Sequence, residues 1–492
     1  MRILYIDVDS LRPDHLGCYG YHRATSPNID ALAADAVRFT NIYASDVPCL
    51  PSRTALFSGR FGFRTGVVNH GGARATPFNE GINRSHRDSF GNTGWMVMLR
   101  KAGYHTASVS SFGYRHGAWH WYAGFKSVHV PEGKGLENAD AVAEPAIEWL
   151  SRYGKDENWF LHVNFWDPHT PYRTPDDFGN PFVDAPLPAW LTEDVRRQGW
   201  EGYGPHSPQE VTGFTPQQWI NDRWPKHPIQ LPSMDAVTDF IDGYDCGVRY
   251  ADDYIGRLLN HLADMNLLDD TAIIISADHG ENLAELNVWA DHQTADEITC
   301  HLPLIIRWPG VDGGRVDTTL HYQFDMAATV LDLLDIDVPP NWDGESFAAA
   351  FKAGDQAGHD YLVMGQGTWS VQRGVRFQQH NTDYLMIRTY HDGYKMLDPL
   401  LLFNLTDDPH EQHNRAADHP DLITHGQSLL DDWYTGMMQR SDFDIDPLMT
   451  ILREGGPFYV RGELPAYLDR LRATGRAHHA ETLAQLHPAA VT

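Results

Sequence analysis

The chain has 492 residues, 42% of them hydrophobic, with 15 Trp, 21 Tyr and 21 Phe, enough to bury a large core in one big α/β unit or two unequal ones. Its formal net charge of −28 excludes a nucleic-acid-binding surface, which needs a basic field, so any anionic ligand must be drawn in by local cations. Met1 and Arg2 lead straight into ILYIDVD with no secretory leader between them, and no apolar run approaches the ~18 residues of a membrane span. The cysteines (Cys18, Cys49, Cys246, Cys300) are too scattered for a disulfide framework or a CxxC metal site. Cytoplasmic residence, with neither membrane nor nucleic acid as partner, is the expectation.

In chain order, ILYIDVD (3–9) reads as a first core strand. TSPNIDALAADAV reads as a helix capped by Ser26, with Pro27 in its first position and Ile29, Leu32, Ala33 and Ala36 on one face. PSRTALFSG has the pattern of a short helix, with Pro51 near its start and Gly59 as its stop. HTASVS (105–110), WFLHVNFW (159–166), TAIIISAD (271–278) and LPLIIRW (302–308) read as further strands, and 234–265 as a long helix. This alternation predicts an α/β fold: a large, mostly parallel sheet sandwiched by helices. Residues 175–233 are rich in Pro, Gly, Trp and charge without a sustained period, which predicts a lid inserted into a catalytic unit spanning 1–355. From about 355 the texture changes to hairpin-like strands (YLVMGQG, RGVRFQQ, YLMIRTY, LLFNL) and a helix near 419–438. These predict a smaller antiparallel α+β subdomain and tail over 356–492, the part after 456 having no evident role.

In open α/β sheets, ligands bind beyond the carboxyl ends of the strands. Here those ends are polar: Asp7 and Asp9 on the first, WDPHTPY with His169 after WFLHVNFW, and ADHGEN with Asp278 and His279. Carboxylates gathered at one sheet edge repel unless a cation lies between them. Oxygen ligands suit Ca²⁺ or Mg²⁺, and a histidine also admits Mn²⁺. Cys49 would sit at the start of the PSRTALFSG helix, where exposed N–H groups attract an anion and lower a thiol pKa, with Arg53 one turn away.

CLPSRTALFSGR resembles the signature of the type I, formylglycine-dependent sulfatases of the alkaline phosphatase superfamily. DVDSLRPDHLGCYG, TSPNIDALAADAVRFTNIYA, FWDPHTPY, ADHGE, HLPLIIRWPG and LFNLTDDPHEQHN are similar to further segments of that family, in its order, so the resemblance reaches to about 415. It implies the alkaline-phosphatase-like fold and oxidation of Cys49 to formylglycine by a formylglycine-generating enzyme. It also implies one divalent metal, Ca²⁺ first and Mg²⁺ or Mn²⁺ after it, on Asp9, Asp278, His279 and residue 49. Ser10 stands where the family often has a second aspartate. Arg53 would stabilise the transferred group, and His169 would contact it and protonate the leaving oxygen.

Two lysines expected from the resemblance are replaced, by Ser111 and by His292 in ADHQTADEITCHLP. A histidine with its ordinary pKa of ~6.5 at that place would titrate between mildly acidic and neutral pH. Arg115, His116 and His120 are candidate substitutes, and Asn69 and His70 candidate pocket residues. Trp119, Trp121, Tyr122 and the lid tryptophans Trp190, Trp200, Trp219 and Trp224 offer faces for a sugar ring. The implied reaction is hydrolysis of a sulfate monoester of a small or terminal sulfated sugar. The lost lysines and the Asp278-His279 pair keep a phosphonate monoester or phosphodiester hydrolase as the alternative.

Overall fold

The computed structural model describes every residue except 80–88, 216–222, 225, 226, 442, 444 and 492. Trp219 therefore lies outside the described residues. The apolar first run forms the strand Arg2–Val8, which pairs in parallel with Trp159–Phe165 on one side and Thr271–Ser276 on the other. His105–Val109 and Ser127–His129 extend the sheet in parallel beyond Trp159–Phe165. On the other flank, His301–Arg307 runs antiparallel between Thr271–Ser276 and Val37–Tyr43. Ile3, Leu4, Ile6 and Val8 are all buried, as strands covered by helices on both faces require. The register sets Asp7 opposite Asn164 and Ser276, so polar residues gather in one row at the carboxyl end.

The helix after the first strand is shorter than its pattern suggests. It spans Pro27–Ala33, and Ala36 falls beyond it, against the strand Val37–Tyr43. Ser26 does not cap it; its hydroxyl accepts from Gly17 N at 2.9 Å and donates to Asp30 at 2.9 Å. Asp252 takes the capping role, accepting from the amides of Asn28 (3.0 Å) and Ile29 (2.8 Å). Asp252 lies on the long helix Met234–Asp264, whose own start is capped by Ser233 accepting from Ala236 N.

A second sheet is built from Tyr361–Gln366, Val371–Gln379, Thr382–His391 and Leu400–Asn404, antiparallel in sequence, with helix Pro420–Arg440 against it. Its edge is completed by Asp46–Val47, parallel to Tyr361–Gln366. The residues just before Cys49 are thus hydrogen-bonded to the C-terminal sheet. The helix Cys49–Ser58 that follows is buried along its whole length. It stops at Gly59, whose φ of +67° and close approach to the Trp342 ring leave room only for glycine. After 456 the chain forms helices Leu464–Ala473 and Ala477–Leu486, which bury Tyr467, Leu468 and Leu483 with Tyr203, Trp369 and Tyr394. Among the described residues, no helix is long and apolar enough to cross a membrane.

Candidate active site

The fully buried helix Cys49–Ser58 points its first residue at the carboxyl ends of the central strands, and Ser52 Oγ ties it there by donating to the carbonyl of Asp278 at 2.6 Å. Arg53, one turn in, meets three carboxylates: Nε donates to Asp7 (2.8 Å), and Nη1 to Asp9 (3.0 Å) and to Asp278. Its Nη2 is buried without a protein partner. Burial would raise Asp7 and Asp9, but Arg53 holds both below the ordinary carboxylate range, helped by His162 at Asp7 and His279 at Asp9. One guanidinium does not satisfy three acids. Burial, with Asp9 and Asp7 adding like charge, pushes Asp278 well above its ordinary value against the pull of Arg53.

Asp9, Cys49, Asp278 and His279 bring their ligand atoms within 4.8 Å of one another. His279 Nδ1 lies 2.8 Å from the carbonyl of Gly280, which can only accept, so the proton sits on Nδ1. Nε2 is left as a lone pair, 3.1 Å from Cys49 Sγ, 3.3 Å from Asp278 and 3.7 Å from Asp9. Burial and neighbouring His292 hold His279 at about 3, in the neutral form a metal requires. Uncompensated buried carboxylates beside a directed imidazole lone pair fit a divalent cation. Ser10, with φ of +61°, stands outside this group; its hydroxyl donates to Asp9 and its amide to Asp278. Asp7 faces Arg53 and His162 instead.

The thiol departs from the sequence expectation. Burial, then Asp9 and Asp278, push Cys49 well above its ordinary pKa and outweigh Arg53 and Arg115, so it is a neutral thiol and no activated thiolate. Above it opens a cavity of about 590 Å³ lined by Cys49, His70, Arg115, His116, His169 and His292, with a far wall from residues of the 206–215 loop, Trp369 and Tyr459.

His292 also differs from expectation. Burial alone would lower it, but Asp291 and Glu281 outweigh burial and raise it to about 9; Nδ1 lies 3.1 Å from Glu281 and Nε2 3.5 Å from Asp291. It is an imidazolium through neutral pH, so it carries the charge of the missing lysine and does not titrate near 6.5. His169 is the reverse. Its Nδ1 donates to Thr170 O, and burial, then Arg115 and His292, hold it well below 6.5. Nε2 at rest therefore carries a lone pair.

Of the candidate pocket residues, His70, Arg115 and His116 line the cavity. Asn69 and His120 do not. Asn69 is buried behind His70 and accepts from its amide at 2.8 Å. His120 packs on Phe90 and meets Thr54 Oγ1 at 3.0 Å, with burial lowering it to about 4. The aromatic candidates fare similarly. Trp121 is core against Phe57 and Phe125, Trp119 lies on the surface over Tyr122, and Trp190 stacks on His410. Trp200 packs under Arg196, and Trp224 lines a separate small cavity beside Tyr172. Sequence reading missed Glu281 and Asp291, which fix the charge of His292, although Glu281 stands inside the ADHGEN motif. It also missed Trp369 and Tyr459, which lie in segments without a recognisable pattern.

Residues 2–336 match the sulfatase family model, and residues 286–428 match the model described as N-sulphoglucosamine sulphohydrolase, C-terminal. The human iduronate 2-sulfatase is 28% identical over 354 residues, covering 63% of this chain and 60% of that protein. The N-acetylglucosamine-6-O-sulfatase of Bacteroides thetaiotaomicron is 23% identical over 536 residues, covering 92% of this chain and 89% of its own. A solved protein in complex with its substrate D-glucosamine-2-N,6-O-disulfate superposes with a TM-score of 0.71 at 21% identity, over 90% of this chain and 99% of the other. The phosphonate monoester hydrolase of Silicibacter pomeroyi superposes at 0.64 and 20% identity, over 90% and 96%. The chain spans 60% of the length of the human iduronate 2-sulfatase but most of the bacterial proteins, and shares their α/β fold. With a family model covering more than half its length, over the segments that build this site, the chain belongs to the sulfatase family.

Proposed function

We propose that this chain hydrolyses a sulfate monoester of a small or terminal sulfated sugar. The carrying observation is the position of Cys49 in the lining of the cavity, its ligand atom within 4.8 Å of those of Asp9, Asp278 and His279, with the cation His292 on the same wall. As formylglycine hydrate, residue 49 would supply an oxygen nucleophile and a second hydroxyl able to expel sulfate. A divalent cation held by Asp9, Asp278, His279 and residue 49 would supply positive charge beside that nucleophile. The protein's own groups do the rest. Arg53 Nη2 is a buried donor free to hold an oxygen at residue 49. His292 and Arg115 place positive charge on the cavity side, where a sulfate gains charge on its peripheral oxygens. His169 Nε2, unprotonated at rest, can take the proton released by the attacking hydroxyl and pass it to the leaving oxygen. The relatives named for sulfated sugars support the substrate class.

One observation favours a second reading, phosphonate monoester or phosphodiester hydrolysis: Ser111 and His292 replace two lysines of the sulfatase pattern, and phosphonate monoester hydrolases share the fold. The protein co-expressed with a formylglycine-generating enzyme, with conversion of Cys49 verified by peptide mass, decides between them. Sulfated monosaccharides and 4-nitrophenyl sulfate should be turned over with kcat/KM about 10²-fold or more above matched phosphonate and phosphate esters, the scale of one well-placed charged contact in the transition state. Preference for the phosphonate would reverse the assignment, and full activity with unmodified Cys49 would refute the nucleophile.

A further inference from the structure

The segment after residue 456 lies outside both matched family regions, yet it closes one side of the cavity. It is fastened to both rims. On the loop that follows the Cys49 helix, Phe458 fills the space that a side chain at Gly71 would need, and Arg461 pairs at 3.2 Å with Glu454, which in turn accepts from Ala73 N at 3.1 Å. On the opposite loop, Gly204 N donates to Tyr467 Oη at 2.7 Å, Arg470 donates to Gly213 O at 2.8 Å, and Arg476 pairs with Glu210. Between these anchors, Tyr459 and Glu463 stand four residues apart in the turn before helix Leu464–Ala473, and both line the cavity.

The hydrogen bonds around Tyr459 fix where its hydroxyl can act. Leu50 N, the amide after Cys49, donates to His70 Nε2 at 3.3 Å. In a neutral His70 the proton therefore resides on Nδ1, which donates to Tyr459 Oη at 3.2 Å. The Tyr459 hydroxyl hydrogen is then left without an acceptor among the described residues. The ring leans on Trp369 at 4.7 Å, and Tyr459 is 39% exposed and lines the cavity. Glu463 makes no ion pair or side-chain hydrogen bond among the described residues. A hydroxyl donor, an aromatic wall and an acceptor that all face one cavity form a recognisable set: a flat apolar face with convergent polar groups at its edge. That set matches a ring bearing several hydroxyls better than an aromatic or aliphatic ester.

We propose that Tyr459 and Glu463 form the subsite for the hydroxylated ring that carries the sulfate, Tyr459 donating a hydrogen bond from its hydroxyl to one ring oxygen and Glu463 accepting from a ring hydroxyl, with the exposed Tyr459 ring, backed by Trp369, as the aromatic wall. The inference rests on the sulfate-ester reading of the site, which it deepens by placing the sugar in the C-terminal segment. A site built to bond substrate hydroxyls rejects analogues that lack them far more strongly than an apolar pocket does.

The test uses the protein expressed without the formylglycine-generating enzyme, so that ligands bind and are not consumed. Tryptophan fluorescence is titrated with a panel of sulfated hexoses and hexosamines and with 4-nitrophenyl sulfate, whose ring has no hydroxyl. Tyr459→Phe and Glu463→Ala should each raise the Kd ratio, best sulfated sugar over 4-nitrophenyl sulfate, at least fivefold, the scale of one lost hydrogen bond. The converted enzyme should show the same fall in its kcat/KM selectivity. A ratio that moves less than fivefold, equal weakening of both ligands, or a wild type that binds no sulfated sugar would each overturn the proposal. Equal weakening would leave Tyr459 as a support for His70 alone. If the converted wild type prefers phosphonate esters, the sulfate-ester reading falls by itself. The same ratio, taken with sugar and aryl phosphonates, still decides the subsite.

Discussion

Arg53→Met, in chelated protein, removes the one guanidinium that faces Asp7, Asp9 and Asp278 while keeping most of the buried volume. Breaking a buried pair by deleting one partner costs about 3–5 kcal/mol, because the remaining charge loses its compensation. Asp278, already pushed well above its ordinary value, can take up a proton and so keeps the loss from growing with each further acid. An unfolding entropy of ~2.1 cal/mol/K per residue over 492 residues gives about 1 kcal/mol/K, so the melting temperature should fall by about 3–5 °C. Adding Ca²⁺ to a hundred times its Kd should return ~2.7 kcal/mol, or about 3 °C, to wild type. The variant should gain at least as much, since its carboxylates are less compensated. Scanning calorimetry with and without Ca²⁺ measures both shifts, and a coupled sulfate-release assay should show activity down about 10²-fold or more. If chelated Arg53→Met melts with wild type, the three acids are not relying on Arg53. If Ca²⁺ stabilises neither protein, the cluster at Asp9, Cys49, Asp278 and His279 is not a cation site.

Asp9→Ala and Asp278→Ala should each abolish sulfate release and metal content together, as read by elemental analysis of the dialysed protein. Activity without metal would remove the cation from the reaction. His292→Lys should keep most of the wild-type kcat/KM because it restores a cation, whereas His292→Ala should lose about 10²-fold, and equal rates for the two would deny the imidazolium its role. Asp167, raised to about 7 by burial despite Arg173, accepts from Ala139 N at 3.0 Å and leaves its other oxygen unpartnered. Its folded pKa lies above the unfolded value of 3.8, so the folded state binds more protons in that window and stability falls as pH rises from about 4 to 7. Asp167→Asn should melt with wild type at pH 4 and above it at pH 8, by up to about 4 kcal/mol at ~1.4 kcal/mol per pKa unit; a difference independent of pH would refute this.

Much of the site was legible because its chemistry demands fixed residue types at strand ends. Asp7 and Asp9, two apart, both reach Arg53, and Asp278 and His279 follow directly on the strand Thr271–Ser276. The Cys49 helix was legible from Pro51 and Gly59, because local backbone preference sets both ends. Protonation states were not legible. A helix N-terminus and a nearby arginine argue for a thiolate, but the desolvation of Cys49 and the pull of two acids from distant strands decide otherwise. The same holds at His292, whose anchors Glu281 and Asp291 act through contacts set by the fold. The strand Val37–Tyr43 escaped notice because it lies on the flank of the sheet, where partly buried Arg38, Thr40 and Asn41 break the apolar run. The aromatic expectation failed for a related reason: tryptophans are frequent in residues 175–233, yet a tryptophan's place is set by what packs on it, and Trp190 stacks on His410 instead of facing the cavity.

Charge separation within the site explains how a protein of net charge −28 can receive an anion. The acids Asp7, Asp9 and Asp278 are fully buried beneath Cys49 and directed at Arg53 and His279, so their field is largely spent on neighbouring cations and donors. Asp291 is likewise committed, to His206 at 3.0 Å and to His292. Arg115 and His292 face the open volume. An approaching sulfate meets those two cations at short range, while the diffuse surface charge is screened within about 8 Å at physiological ionic strength. Glu463 lines the cavity without a cationic partner among the described residues, on the side of Tyr459 and Trp369. There it would repel a second sulfate but accept a hydroxyl proton, so the same arrangement that admits one anionic group at residue 49 disfavours a ring sulfated on the Glu463 side.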